Sequence, residues 1–167
     1  MASFSSTQFT ASYPDTWEAR EQTTEFPEGT FPQIRFLGPE EPYEIGVTDE
    51  GVGPSFVSRP EVNIVFGPKL AGPLKEFTDA TIRELKKAKP SKPKPVKIAG
   101  LPAFEIFCEF RFPEPGTPTP VHLGRQILHV DNHGQLVVIS YTAHATQLLR
   151  FKKEAESIIA SLRFHKA

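Results

Sequence analysis

Cysteine occurs once in this 167-residue chain, at Cys108, so no internal disulfide is available and stability has to come from packing. The thiol lies in an apolar alternating stretch, where it reads as a small buried hydrophobe. Long hydrophobic runs are absent: none approaches the roughly 18 residues that cross a bilayer, which argues against membrane insertion. The opening MASFSSTQF has neither the basic nor the apolar region of a signal peptide, and a cytoplasmic location is the expectation. A net charge of −1 leaves no global attraction to nucleic acid, so no nucleic-acid partner is expected. Catalytic signatures are missing as well. There is no Gly-x-Ser-x-Gly elbow, Walker loop, Cys-x-x-Cys pair or His-Glu-x-x-His helix. Gly51-Val52-Gly53 runs into Pro54, not into a helix, and fails as a dinucleotide fingerprint. The expectation is a non-enzymatic protein with no cofactor.

What the chain has instead is proline and phenylalanine, 17 and 14 residues respectively. Proline removes a ladder donor and fixes φ, so the connections are expected to be stiff and the strands short. Phenylalanine supplies core volume, and the generous supply leaves some rings for a groove or an interface.

Periodicity yields the elements. Phe9, Ala11 and Tyr13 alternate before a YPDTW turn. Trp17 opens a second strand, and a turn at Glu28-Gly29 leads to Ile34 and Phe36. Tyr43, Ile45 and Val47 share a face, followed by TDEGVGPSFVSRP, which reads as a polar loop. Val62, Ile64 and Phe66 make the next strand. Gly72-Pro73 opens a helix with Leu74, Phe77, Thr81, Leu85 and Ala88 at helical spacing, ending in the basic connector KAKPSKPKP. Phe104, Ile106, Cys108, Phe110 and Phe112 share one strand face, and FPEPGTPTP is a prolyl loop. Arg125–Val130 and Gln135–Ala143 flank Asp131-Asn132-His133-Gly134, a hairpin signal. The second of these strands is apolar on both faces, which marks a central strand. Thr146 is expected to cap a last helix carrying Leu148, Phe151, Ala155, Ile158, Ile159 and Leu162, with Phe164 closing the chain as a short strand. Residues 1–167 are read as one domain, an α/β fold in the form of a three-layer α/β/α sandwich around a mostly antiparallel sheet.

In their order, YPDTW, LKEFTDATIRELKK, VKIAGLPAFEI, GRQILHV with QLVVISYTA, and FKKEAESIIASLRF resemble the PsbP/Mog1 superfamily, including its bacterial PsbP-like and DcrB-like branch. The resemblance covers essentially the whole chain. It implies the same sandwich without a catalytic site, and a role in binding or assembly. Relatives include a photosystem subunit, a Ran-binding transport factor, bacterial lipoproteins and chaperone-adaptors of secreted effectors. The chain departs from the pattern in lacking a lipoprotein leader and in carrying the loop Pro113–Pro120. On this reading the protein is an adaptor, chaperone or assembly factor. It takes another protein as partner and is open to homodimerisation through a sheet edge or a phenylalanine face.

Three groups of residues are candidates for binding. His129, Asp131 and His133, with His122 upstream, offer imidazole and carboxylate donors for Zn²⁺ or Cu²⁺ if the hairpin converges them, and a small ligand or metal here is the alternative function. Otherwise His133 is a turn residue and His129 a half-exposed strand residue, because residues four apart in a strand stand over about 10 Å apart. Lys87, Lys89, Lys92 and Lys94, with Lys86 and Lys97, suit an acidic partner. They equally suit a solvated helix end, where cations complement the dipole. Trp17, with Tyr13 and Phe26, reads either as an exposed aromatic anchor or as core.

Overall fold

The computed structural model describes residues 1–44, 47–48, 51–52, 55–112 and 121–165. In chain order the elements are β1 (Ala2–Ser5), β2 (Phe9–Tyr13), β3 (Glu18–Phe26), β4 (Gly29–Leu37), β5 (Glu41–Glu44), β6 (Val47–Thr48), β7 (Gly51–Val52), β8 (Ser55–Ser58) and β9 (Glu61–Lys69). They continue with α1 (Leu74–Glu84), β10 (Lys94–Ile98), β11 (Leu101–Phe112), β12 (Val121–Asn132), β13 (Gln135–His144), α2 (Lys152–Ser161) and β14 (Arg163–Phe164). Seven strands form one sheet in the order β10-β11-β12-β13-β9-β4-β3, every neighbour antiparallel, while β1-β2-β14 form a small second sheet. The result is an α+β fold dominated by antiparallel sheet. The strand expected to be central, β13, is the fourth of the seven.

Alternation sorts the apolar residues into two cores. On one face Phe36, Val62, Ile64, Leu128, Val130, Val137, Ile139 and Tyr141 pack with Ala155 and Ile158 of α2, with Phe151 and Leu162 at its two ends, and with Phe9 and Ala11 of β2. The smaller core joins Ile106, Cys108 and Ile127 to Ala88, Ile82, Leu85, Phe110 and Val138. Adjacent residues Ile127 and Leu128 of β12 thus belong to different cores. Burial raises the Cys108 thiol pKa, consistent with its role as a small apolar filler.

Several local expectations change. Pro73 caps α1 from outside with an extended ψ of 142° and is not its first residue. The deepest α1 side chains are Leu74 and Thr78, because Thr78 meets a buried histidine. Residues 145–150 form turns and α2 starts at Lys152: Thr146 hydrogen-bonds His144 and caps no helix. The polar stretch read as a loop pairs as β7 and β8, and the polar N-terminus pairs as β1 with β2. Ile45 and the loop Pro113–Pro120 lie outside the described residues.

Two hairpins turn in two residues with both central φ positive, Ala99-Gly100 at 51° and 78° and His133-Gly134 at 52° and 92°. That conformation favours Asn-Gly, and alanine has no polar side chain to offset it. Ala99 is exposed. Ala99→Asn is therefore expected to raise unfolding free energy by about 0.5–1 kcal/mol, read as a higher melting temperature. An unchanged or lowered value would show that this turn is not under conformational strain.

Candidate functional site: a groove beside the second helix

Strand β11 presents Glu105, Phe107 and Glu109 on the α2 side, and its partner β12 presents His122, Gly124 and Gln126 beside them. The turn after β13 folds over this patch. His144 Nδ1 lies 2.7 Å from Thr146 Oγ1 and accepts from Thr146 N at 3.2 Å, while Ala145 N donates to His122 O at 2.8 Å. Tyr141 Oη donates to the Leu148 carbonyl at 2.7 Å, and burial and the charge of Glu154 hold that phenol protonated far above neutral pH. Leu148 lies so close to Gly124 that a Cβ there would stand 2.6 Å from its Cδ2. Pinned in this way, the turn projects Leu149 outward at 81% exposure.

The opposite wall comes from the basic connector. Ser91 N donates to Phe107 O at 2.8 Å and Phe107 N donates to Ser91 Oγ at 2.9 Å, so the chain runs alongside β11 where β10 does not reach. Lys89, at φ 49°, ends the preceding 3-10 turn and reaches the groove. Phe107 is 47% exposed there. Between these walls lies a cavity of about 520 Å³ lined by Phe107, Leu148, Leu149, Ala145, His122 and Lys89. A further hollow of about 370 Å³ follows the same sheet face between β10 and α2, past Ile98, Glu105 and Gln126.

Large apolar side chains at such exposure on one groove are the feature to explain, since scattered exposed apolar residues are ordinary and adjacent ones are not. Sequence reasoning allowed for surplus phenylalanines but did not single out Phe107. In the sequence it is one of many alternating aromatic residues, and Leu149 sits in a stretch read as helix.

The structure distributes the candidate residues differently. Lys86, Lys87, Lys89, Lys92, Lys94 and Lys97 are all exposed. Of these Lys89 lines the groove and Lys97 its extension, while Lys92 and Lys94 stand with Pro93 and Pro95 along the outer edge of the sheet. Lysine and proline on an edge strand also block sheet-to-sheet pairing. Trp17 is not an exposed anchor: it is 4% exposed and its Nε1 donates to Glu154 Oε2 at 2.8 Å. The metal set does not assemble. His129 is buried at 2% exposure with its Nδ1 2.9 Å from Thr78 Oγ1 and its ring against Phe77, whereas Asp131 accepts from Gly134 N and His133 sits exposed in the turn. At the other end of β12, His122 Nε2 stands 3.3 Å from Glu109 at an angle that makes no hydrogen bond. Among the described residues, no three His, Cys, Asp or Glu side chains gather to hold a metal. A broad cleft of about 870 Å³ does lie at the hairpin, where His133 and His165 meet Phe31, Pro68 and Gln135.

No family model and no curated protein matches the chain. Among solved structures it is similar to PA94 from Pseudomonas aeruginosa, a protein of unknown function described as a putative regulator, with TM-score 0.55 and 11% identity over 88% of this chain and 99% of that one. A Bacteroides thetaiotaomicron VPI-5482 protein gives TM-score 0.49 and 20% identity over 98% of this chain and 48% of that one. LpqN, involved in cell envelope biogenesis of Mycobacterium tuberculosis, gives TM-score 0.49 and 11% identity over 95% and 83%. At 11% identity the likeness to PA94 concerns the fold and nothing more.

Proposed function

We propose that this chain is a non-catalytic protein-interaction domain, an adaptor, chaperone or assembly factor, that takes its partner in the groove between β11, the 145–149 turn and the basic connector. The observation that carries the reading is the pairing of Phe107, 47% exposed, with Leu149, 81% exposed, across one cavity. Apolar anchors entering such a groove provide most of the affinity, while rim charges adjust rate and choice. Lys89 and Lys97 at the groove, with Lys92 and Lys94 on the adjoining edge, favour a partner segment with acidic residues beside its apolar anchor. A PsbP/Mog1-type three-layer sandwich belongs to this proposal, supported by the two separate cores that meet α1 and α2. So does a cytoplasmic setting, to which the single unpaired Cys108 is suited. Among the described residues no helix is long and apolar enough to cross a membrane.

A small ligand at the hairpin cleft is the second reading, favoured by the size of that cleft, with His133 and His165 as its polar groups. The two are separated by variants. Phe107→Ala with Leu149→Ser is expected to weaken capture of the partner from host lysate about 30-fold or more, with melting temperature little changed. Lys89→Glu with Lys92→Glu should weaken it and reverse its salt dependence. A partner retained by the groove variants and lost on His133→Ala would transfer binding to the hairpin cleft.

A further inference from the structure

The seven-stranded sheet carries a line of polar side chains across β3, β4, β9 and β13, on the face opposite α2. Gln22 Nε2 donates to Gln33 Oε1 at 2.9 Å and Gln33 Nε2 donates to Asn63 Oδ1 at 2.7 Å. This relay has a direction. Each amide spends its donor on the next acceptor, so the chain of bonds terminates on the Nδ2 hydrogens of Asn63, which have no acceptor among the described residues. Beside Asn63 in register stands Ser140, whose hydroxyl has no hydrogen-bond partner among those residues either. Next along is Thr142, which accepts from Arg125 Nε at 2.8 Å and keeps its own proton to give.

Arg125 completes the arrangement. Thr142 holds its Nε, and its guanidinium carbon lies 4.6 Å from the centre of the Phe110 ring. The side chain is thereby oriented while its two terminal amino groups carry no hydrogen bond among the described residues. Neighbouring arginines are spent: Arg35 is bidentate to Glu61 at 2.8 and 2.9 Å, and Arg59 donates to Gly38 O at 2.7 Å and to Glu18. These groups line a cavity of about 300 Å³ made by Asn63, Arg125, Ser140, Thr142, Glu61 and Arg59. Everything unpaired in it is a donor or can act as one, on rigid strands, around one guanidinium with its fork exposed.

We propose that this cavity binds the carboxylate of a small organic acid, gripped by the Arg125 fork and received by Asn63 Nδ2 and the Ser140 hydroxyl. A planar monoanion suits the fork. Glu61 in the lining repels a dianion such as phosphate more strongly than a monoanion. The cavity is at the small end of ligand sites, which limits the acid to metabolite size. Asn63, Ser140, Thr142 and Arg125 alternate to the sheet face away from α2, and Arg125 also borders the partner groove.

The test is amide NMR titration of the full chain with sodium acetate, sodium lactate and inorganic phosphate at constant ionic strength. A carboxylate is expected to give saturable shifts at Asn63, Ser140 and Thr142. Arg125→Lys, which keeps charge and loses the fork, should weaken them about tenfold, and Arg125→Gln should remove them. Asn63→Asp, nearly isosteric and turning a donor into an anion, should remove them as well, which keeps the test decisive if the Arg125 variants fold poorly. Shifts that never saturate, or that persist unchanged in Asn63→Asp, would overturn the site. Saturation by phosphate but by neither carboxylate would overturn the assignment of its ligand.

Discussion

Trp17→Ala is expected to lower the unfolding free energy by about 4 kcal/mol, the largest effect of a single truncation in this chain. Three segments distant in sequence close on the indole. The turn before β3 delivers it through Trp17 N donating to Pro14 O at 2.9 Å, and the first turn of α2 supplies Glu154 as acceptor at 2.8 Å. Phe151 lies edge-on, its ring centre 6.5 Å away at 79°. The two ends of the β5–β8 excursion contribute Gly38 and Pro60, where a Cβ on Gly38 would stand 3.1 Å from Trp17 Cε2 and 2.4 Å from Pro60 Cγ. Removing the ring leaves a cavity that rigid neighbours cannot fill and strips the Glu154 carboxylate of its donor. Trp17→Phe separates the two losses: it keeps most of the volume, gives up the hydrogen bond, and should cost about 1–2 kcal/mol. Urea unfolding followed by circular dichroism measures both. A loss under about 1 kcal/mol for Trp17→Ala would contradict the interior role, since core truncations of this size cost several times more.

The second large effect depends on pH. His129 is buried beneath α1 against Phe77 and Thr78, and burial lowers its pKa from 6.5 to about 4. Between these values the unfolded chain takes up a proton that the folded chain refuses, so stability rises with pH across the window and falls on acidification. From pH 7.5 to pH 4 the loss assigned to His129 is about 3 kcal/mol. His144, also shifted down by burial and by His122, adds a loss of the same sign. His129→Gln retains a hydrogen-bonding group toward Thr78 and has no proton to gain. Its stability should therefore depend on pH more weakly by about that amount. Parallel profiles for the two proteins from pH 7.5 to 4 would show that His129 ionises inside the fold.

Much of this organisation is legible in the order of the residues. The two dry faces of Leu136 to Tyr141 mark β13 as central, and it is. Asp131 to Gly134 mark its hairpin, and Phe164 a last strand, because each depends on local pattern and turn chemistry. Helix termini read less well. Pro73 suits a first helical position but stands one residue outside α1, and Thr146 suits a cap but is engaged by His144, with α2 starting at Lys152. The candidate sites are least legible. His129 and His133 look like a pair in sequence, yet the strand turns one into the core and the hairpin turns the other to solvent. Gln33, Asn63 and Ser140 are each a lone polar residue between apolar ones, Gln22 and Arg125 lie beside other polar residues, and only strand register makes the five neighbours. Phe107 and Leu149 meet across a groove for the same reason, through two turns that no spacing rule encodes.

The most direct test of the proposed function is site-specific photo-crosslinking in host cells, with a photoreactive phenylalanine analogue at position 107, at 149, and at position 31 in the hairpin cleft as a control. The account predicts one dominant protein adduct at 107 and 149 and none at 31. Its crosslinked peptide should carry an apolar residue flanked by acidic ones. Adducts at position 31 alone, or at all three positions alike, would contradict a partner seated in the groove.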